Sequence, residues 1–167
     1  MKNTSLIWAT AIIVLLNINL HSQEYLSWEK FSHLTLSASA GAFSGYADVN
    51  EQRKHNSTGE TRIYYDKLAH NYQSLERLSF FSAGISIPLT SKMKPWHLAS
   101  DMALTLVYQG IFHGFAANIA RDKPLFWQSE YQKANNTSGF ERFQSPAWIL
   151  GSFVVVTTIN IIIYEIL

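Results

Sequence analysis

Cysteine is absent from the 167 residues, and that single absence removes disulfide staples, thiol nucleophiles and thiolate metal sites together. Charge is the next shortage. Asp, Glu, Lys and Arg make up 15% of the chain, against about 25% in a soluble globular domain. The few charges nearly cancel, to a net +1, so no global field gathers nucleic acid or an acidic partner. No repeat or low-complexity tract is visible, and nothing in the length argues for a second domain. What is present in quantity is apolar side chain, gathered into runs. Without disulfides, an exported chain of this size must take its stability from helix packing.

Residues 1–23 read as a targeting segment: Lys2 gives a positive start, Leu6 to Leu16 is apolar, and Asn17 to Gln23 is polar. Ser22 offers a cleavage site that Leu20 fits less well, so a cleaved signal peptide and a retained anchor both stay open. The remainder, 24–167, is expected to be one helical membrane domain. Phe31 to Tyr46 carries two patterns at once. Leu34, Leu36, Ala38, Ala40 and Ala42 alternate as in a half-buried strand. Ser37, Gly41 and Gly45 recur every fourth residue, which lines up small side chains on a helix face that a second helix can approach closely. Helix is the preferred reading.

Asp48 to Glu60 has charges, Asn, Ser and Gly without periodicity and is expected to be an exposed loop. Tyr64 to Tyr72 mixes aromatic and polar residues, as a membrane-interface element does. Leu75 to Leu89 is an apolar stretch interrupted by Glu76 and Arg77, closed by Pro88 and followed by Lys92 and Lys94. Trp96 to Ala120 is long enough to span a bilayer, yet it carries Asp101, Thr105, Gln109 and His113 at steps of four, along one face of a helix. Polar groups in a membrane helix normally face the bundle interior; the plainer alternative is an Asp101 simply solvated near a helix end. Arg121, Asp122, Lys123 and Pro124 end that helix, a polar loop runs to about Ser145, and Pro146 opens a final segment. Trp148 to Leu167 has Glu165 as its one charge, a strong spanning signal.

The expected fold is therefore all-α, a helical membrane protein with about 3–5 membrane-associated helices. Trp8, Trp96, Trp127 and Trp148 stand near segment ends as interface anchors. The expected setting is a bacterial cell envelope, most simply the inner membrane, with an exported amino-terminal region. Alternation from an exported start puts 24 to about 74 outside, Lys92 and Lys94 inside, and Arg121 to Ser145 outside. That last placement runs against the positive-inside tendency.

Two places resemble a known family. Tyr65-Asp66-Lys67-Leu68-Ala69-His70-Asn71-Tyr72, leading to Ser82 and Pro88, and the helix ending Ala120-Arg121-Asp122-Lys123-Pro124 look like the amino-terminal half of the type-2 phosphatidic-acid phosphatase superfamily, which includes lipid-phosphate phosphatases and vanadium haloperoxidases. The resemblance implies a phosphate-binding role for Arg121, at the family's additional arginine, and for Lys123, where the motif arginine stands; Pro124 matches. The motif lysine falls on Ala116. In place of the family's second motif, Pro-Ser-Gly-His, the chain has Phe143-Gln144-Ser145-Pro146-Ala147, with Ala147 at the acid histidine. The third motif, bearing the nucleophilic histidine, would lie beyond Leu167.

Phosphoryl transfer needs cations on the phosphate oxygens, a nucleophile, and an acid for the leaving oxygen. Arg121 and Lys123 supply part of the first, although Lys lacks the planar fork that grips phosphate. His113 is a weak candidate for a catalytic group. The expectation is a truncated or diverged member of the superfamily, a pseudoenzyme without turnover that retains weak affinity for phosphate headgroups. The alternatives are an active lipid-phosphate phosphatase completed by a partner chain, and a small membrane subunit of an envelope complex; a haem is the less favoured version of the latter, in which His33 could pair with His113 but His97 could not. No metal or cofactor is expected. The expected partners are membrane lipids and a membrane-protein partner, with no nucleic acid. His21, His55 and His70 read as solvated, and Asn135-Asn136-Thr137 is a glycosylation sequon only in a glycosylating host.

Overall fold

The computed structural model describes residues 27–127 and 146–166. The targeting segment, the sequon, Ser145 and the side chains of Ala147 and Trp148 lie outside the described residues. All regular structure among the described residues is helical: α1 (Trp28–His55), α2 (Gly59–Ser91), α3 (Pro95–Ala120) and α4 (Pro146–Ile166).

Local chemistry sets these boundaries. The Ser27 hydroxyl caps α1 by accepting the Lys30 amide at 3.2 Å. Glu29 in the first turn and Arg53, Lys54 and His55 in the last complement the helix dipole. Pro95 opens α3, where its missing N–H costs nothing. At the far end of α3 the chain turns through Asp122 at φ 56°, and the Lys123 amide closes back on the Asn118 carbonyl at 2.9 Å.

The strand pattern of Leu34 to Ala42 is overruled, and the small-residue spacing is the one that matters. A Cβ on Gly41 would overlap the Gln109 carbonyl, and one on Gly45 would overlap that of His113. α1 therefore lies backbone to backbone against α3, and Leu34, Leu36, Ala38 and Ala42 are half-buried flanks of the seam.

Two expectations are corrected. Asp48 to Glu60 is not a loop: α1 runs to His55, and only 56–58 separates it from α2. Ala47, Val49 and Asn50 are buried there, a short inner face among charged outer residues that left no apolar period to read. Tyr64 to Tyr72 and Leu75 to Leu89 are not separate pieces. They form one helix of 33 residues with Pro88 inside it, because a change from polar to apolar surface does not itself break a helix. Near Pro88 the hydroxyls of Thr90 and Ser86 bond to carbonyls of the preceding turn.

α1 is central, packed along α2 and α3, and α4 leans on the far side of α3. The chain runs up and down through the four helices. Lys30, Thr90, Asp101 and Tyr164 meet at one end. At the other, Arg53 donates to the Ala120 carbonyl and lies over Tyr65, and Arg121 donates to Gln52. Trp28 and the hairpin at 56–58 are thus at opposite ends, about 40 Å apart at 1.5 Å per residue.

Burial does not sort these side chains by polarity: Val49, Leu104 and Ile111 are buried beside polar groups, and large apolar residues stand exposed. Buried positions hold Ala, Ser, Gly and a polar set that includes Lys30, His33, Asp101 and Asn160. Phe81, Leu89 and Leu106 are each at least 65% exposed. One described helix, over Ile149–Ile166, is long and apolar enough to cross a membrane.

Candidate functional site

Asp101 is fully buried, so the solvated alternative fails. Its carboxylate is bonded from all three other helices. Oδ1 accepts Lys30 of α1 and Asn160 Nδ2 of α4 at 2.8 Å. Oδ2 accepts Thr90 Oγ1 of α2 at 2.6 Å and Tyr164 OH of α4 at 2.6 Å. Two donors per oxygen saturate a carboxylate's lone pairs. The Lys30 ammonium also sits over the Tyr164 ring, 4.2 Å from its centre, and His97 stacks on that ring at 4.0 Å. One turn further in, His33 holds Ser86 Oγ at 2.7 Å through Nδ1 and Thr105 Oγ1 at 3.0 Å through Nε2. The polar stripe of α3 thus meets polar groups on every neighbouring helix.

This arrangement binds helices together; it is poorly suited to catalysis. A carboxylate with four donors in place has no lone pair left for a substrate proton. Both nitrogens of His33 are engaged, which leaves none for a haem iron. His113 stands twelve positions beyond Asp101, about 18 Å along the helix, so the two do not act on one atom. Sequence reading singled out Asp101 and His33 but missed Lys30, Asn160 and Tyr164. From Phe31 to Ala47 and from Pro95 to Ala120 the chain has no Lys, Arg, Asp or Glu except Asp101, so its cation had to come from outside those stretches, but nothing in the sequence prefers Lys30 to Lys92 or Lys94.

The residues matched to phosphate binding lie at the opposite end. Arg121 caps α3 and donates Nη2 to Gln52 Oε1 at 3.0 Å. Lys123 is exposed and lies over Trp127, 5.5 Å from the ring centre. His113 pairs with Asp48 at 3.5 Å. The turn carrying Arg121 and Lys123 is pinned by Asn118, whose Nδ2 donates to the carbonyls of Leu125 (2.8 Å) and Trp127 (3.1 Å). Phe126 meets Phe115 edge-on at 5.2 Å.

Arg121 and His113 open on one cavity of 480 Å³ between α3 and α4, walled by Ile111, Phe126, Trp127 and Ile149. Lys123 is not among its lining residues. Ala116, where a motif lysine would stand, is buried and packs against Gly45, so a side chain there points into the α1 seam. A second cleft of 250 Å³ between α1, α2 and α3 is lined by Glu76, Gln109 and His113. Among the described residues, no group of three His, Cys, Asp or Glu stands where it could hold a metal ion.

No family model, curated protein or solved structure matches this chain.

Proposed function

We propose that this chain is a non-catalytic helical membrane protein that holds anionic phosphate headgroups weakly at the Arg121 end, as a diverged relative of the phosphatidic-acid phosphatases. The observation that carries the membrane reading is where charge is missing. Across α1 from Phe31 to Ala47, α2 from Leu78 to Ser91, α3, and α4 from Ile149 to Tyr164, the one Lys, Arg, Asp or Glu is Asp101, and it is buried against Lys30, which stands just before that stretch of α1. Lipid around such a bundle meets mostly apolar side chains, with Thr35 and Thr158 as exposed exceptions and Glu76 in a cleft beside Gly41 and Gln109, while the Lys30–Asp101 pair faces inward as membrane helices require. Beyond that band, α1 and α2 continue as a polar hairpin.

On this reading the charge conflict left by alternation does not arise. The hairpin end carries Arg53, Lys54, Arg62, Lys67, Arg121 and Lys123, and the other end exposes Lys92 and Lys94. With α1 itself crossing, an exported start at Trp28 brings the hairpin end to the cytoplasm, in line with the positive-inside tendency. The absence of turnover rests on Ala116 packing away from the cavity and on Asp101 and His113 standing apart.

The test is flotation of the purified protein with vesicles of phosphatidylcholine, with and without phosphatidate, beside a phosphate-release assay and an Arg121→Ala control. Retention that rises with phosphatidate and drops several-fold in the variant is expected, with no phosphate released. Release that disappears in Arg121→Ala would overturn the pseudoenzyme reading.

A further inference from the structure

α3 and α4 are in side-chain contact at His97–Tyr164, at Asp101–Asn160, and at Tyr108–Phe153, where the rings are 5.3 Å apart. Toward the hairpin end they part, and the 480 Å³ cavity fills the wedge. Its α3 wall includes Gly110 and Gly114, and its α4 wall includes Ser152. These glycines differ from Gly41 and Gly45. A Cβ built on Gly110 or Gly114 meets nothing within 4 Å, and neither has positive φ. Neither close packing nor backbone conformation asks for glycine at these two positions, which are unfavourable inside a helix. What their bareness produces is the depth of the wedge. The walls are mostly apolar, and the cavity falls within the size range of ligand pockets, about 300–1,000 Å³. Among the described residues that line it, Arg121 is the one Lys, Arg, Asp or Glu.

We propose that this wedge binds a free long-chain fatty acid, its tail against Gly110 and Gly114 and its carboxylate at Arg121. One guanidinium matches a single negative charge, and carboxylate suits its planar donors. A phosphate monoester carries more charge than one arginine offsets, and the second cation that would help is replaced by the inward-packed Ala116. The proposal shares Arg121 with the headgroup reading but rests on the wedge, so each can fail alone.

The test is retention of isotope-labelled palmitate by the full-length protein in detergent after gel filtration. The competitors are hexadecanol, with the same tail and no charge, and dioleoyl phosphatidate, with two tails. Near-stoichiometric palmitate is expected, displaced by hexadecanol or phosphatidate only at concentrations about tenfold higher or more. Gly114→Leu, which fills the wedge from α3, and Ser152→Leu, which fills it from α4, should each lower retention about tenfold or more without lowering the melting temperature. Arg121→Gln should lower it about tenfold. Should one filling variant fail to fold, the other carries the test.

Undiminished retention in a folded filling variant overturns the wedge site, and so does equal competition by hexadecanol. The proposal also falls if the wild type retains no palmitate, as when residues 128–145 or a second copy of the chain occupy the wedge. Phosphatidate flotation lost in Arg121→Ala but kept in Gly114→Leu would leave the headgroup reading standing whatever happens to palmitate. Palmitate lost in Gly114→Leu with flotation indifferent to Arg121 would reject the headgroup reading and keep the wedge.

Discussion

At Asp101 four hydrogen bonds from three helices converge on two oxygens, and this saturation dictates how the site answers to mutation. Removing one partner of a buried ion pair strands the other charge and costs about 3–5 kcal/mol, whereas replacing both with apolar groups of similar volume is often close to neutral. Asp101→Leu should therefore destabilise the bundle by about that amount. The double variant Lys30→Met/Asp101→Leu should recover much of the loss, as read by thermal unfolding in detergent. A double variant as unstable as the single one would mean that Thr90, Asn160 and Tyr164, rather than Lys30, are what the carboxylate serves. Sequence reading reached Asp101 through its place on a stripe with Thr105, Gln109 and His113. It did not reach Lys30, because one lysine near the start of a segment looks like any solvated lysine. Burial of that ammonium follows from the packing of four helices, which no local window contains.

Among the elements, α1 was the hardest to read and carries the most specific packing. Its sequence fits both periods, and the choice between them is made by α3, which needs bare backbone at Gly41 and Gly45. Gly41→Ala should cost about 1–3 kcal/mol through the displacement it forces, while Gly114→Ala should be neutral or stabilising by up to about 1 kcal/mol. Equal effects at the two sites in thermal unfolding would contradict the distinction between seam and wedge. The α1–α2 hairpin was missed for a different reason: its outer residues are charged, and its inner face is only a few residues long. It is tied across by Lys54 to Asp66 at 2.8 Å. The hydrogen bond from Lys54 holds the Asp66 carboxyl below its ordinary range, and the bond to Asp66 raises the Lys54 ammonium above its own. A depressed carboxyl contributes stability above its unfolded pKa and loses it as pH falls through the folded value. A raised ammonium contributes below its unfolded pKa and loses it as pH rises through the folded value. The Lys54–Asp66 tie should then hold through neutral pH and loosen below about 4. Amide exchange over 50–66, corrected for intrinsic rate, checks this; Lys54→Met should remove the acid step.

For the whole molecule, the all-α class and the last two helices were legible from apolar run length and, for the final one, from the proline that opens it. The order of the helices around α1 was not, because it depends on which polar groups find one another. The bundle requires that 56–58 and Lys92–Lys94 stand on opposite sides of any membrane it crosses. Since the chain has no cysteine, Ser57→Cys and Lys94→Cys give clean single probes. Lys94→Cys should react with an impermeant maleimide in intact cells, and Ser57→Cys only after permeabilisation. Labelling of both from the same side would rule out the spanning bundle, and the reverse pattern would invert its orientation.

The saturated carboxylate also has a consequence in time. During synthesis Lys30 and Thr90 emerge before Asp101, and Asn160 and Tyr164 emerge last. A nascent α3 thus finds two of its four donors already made, while α4, the one described helix long and apolar enough to cross a membrane, is still to come. The three earlier helices have to remain together in the interval, with half of the carboxylate's bonds unmade. The final helix then acts as a closing latch, and a ribosome stalled before Asn160 would hold a bundle that is open along one side.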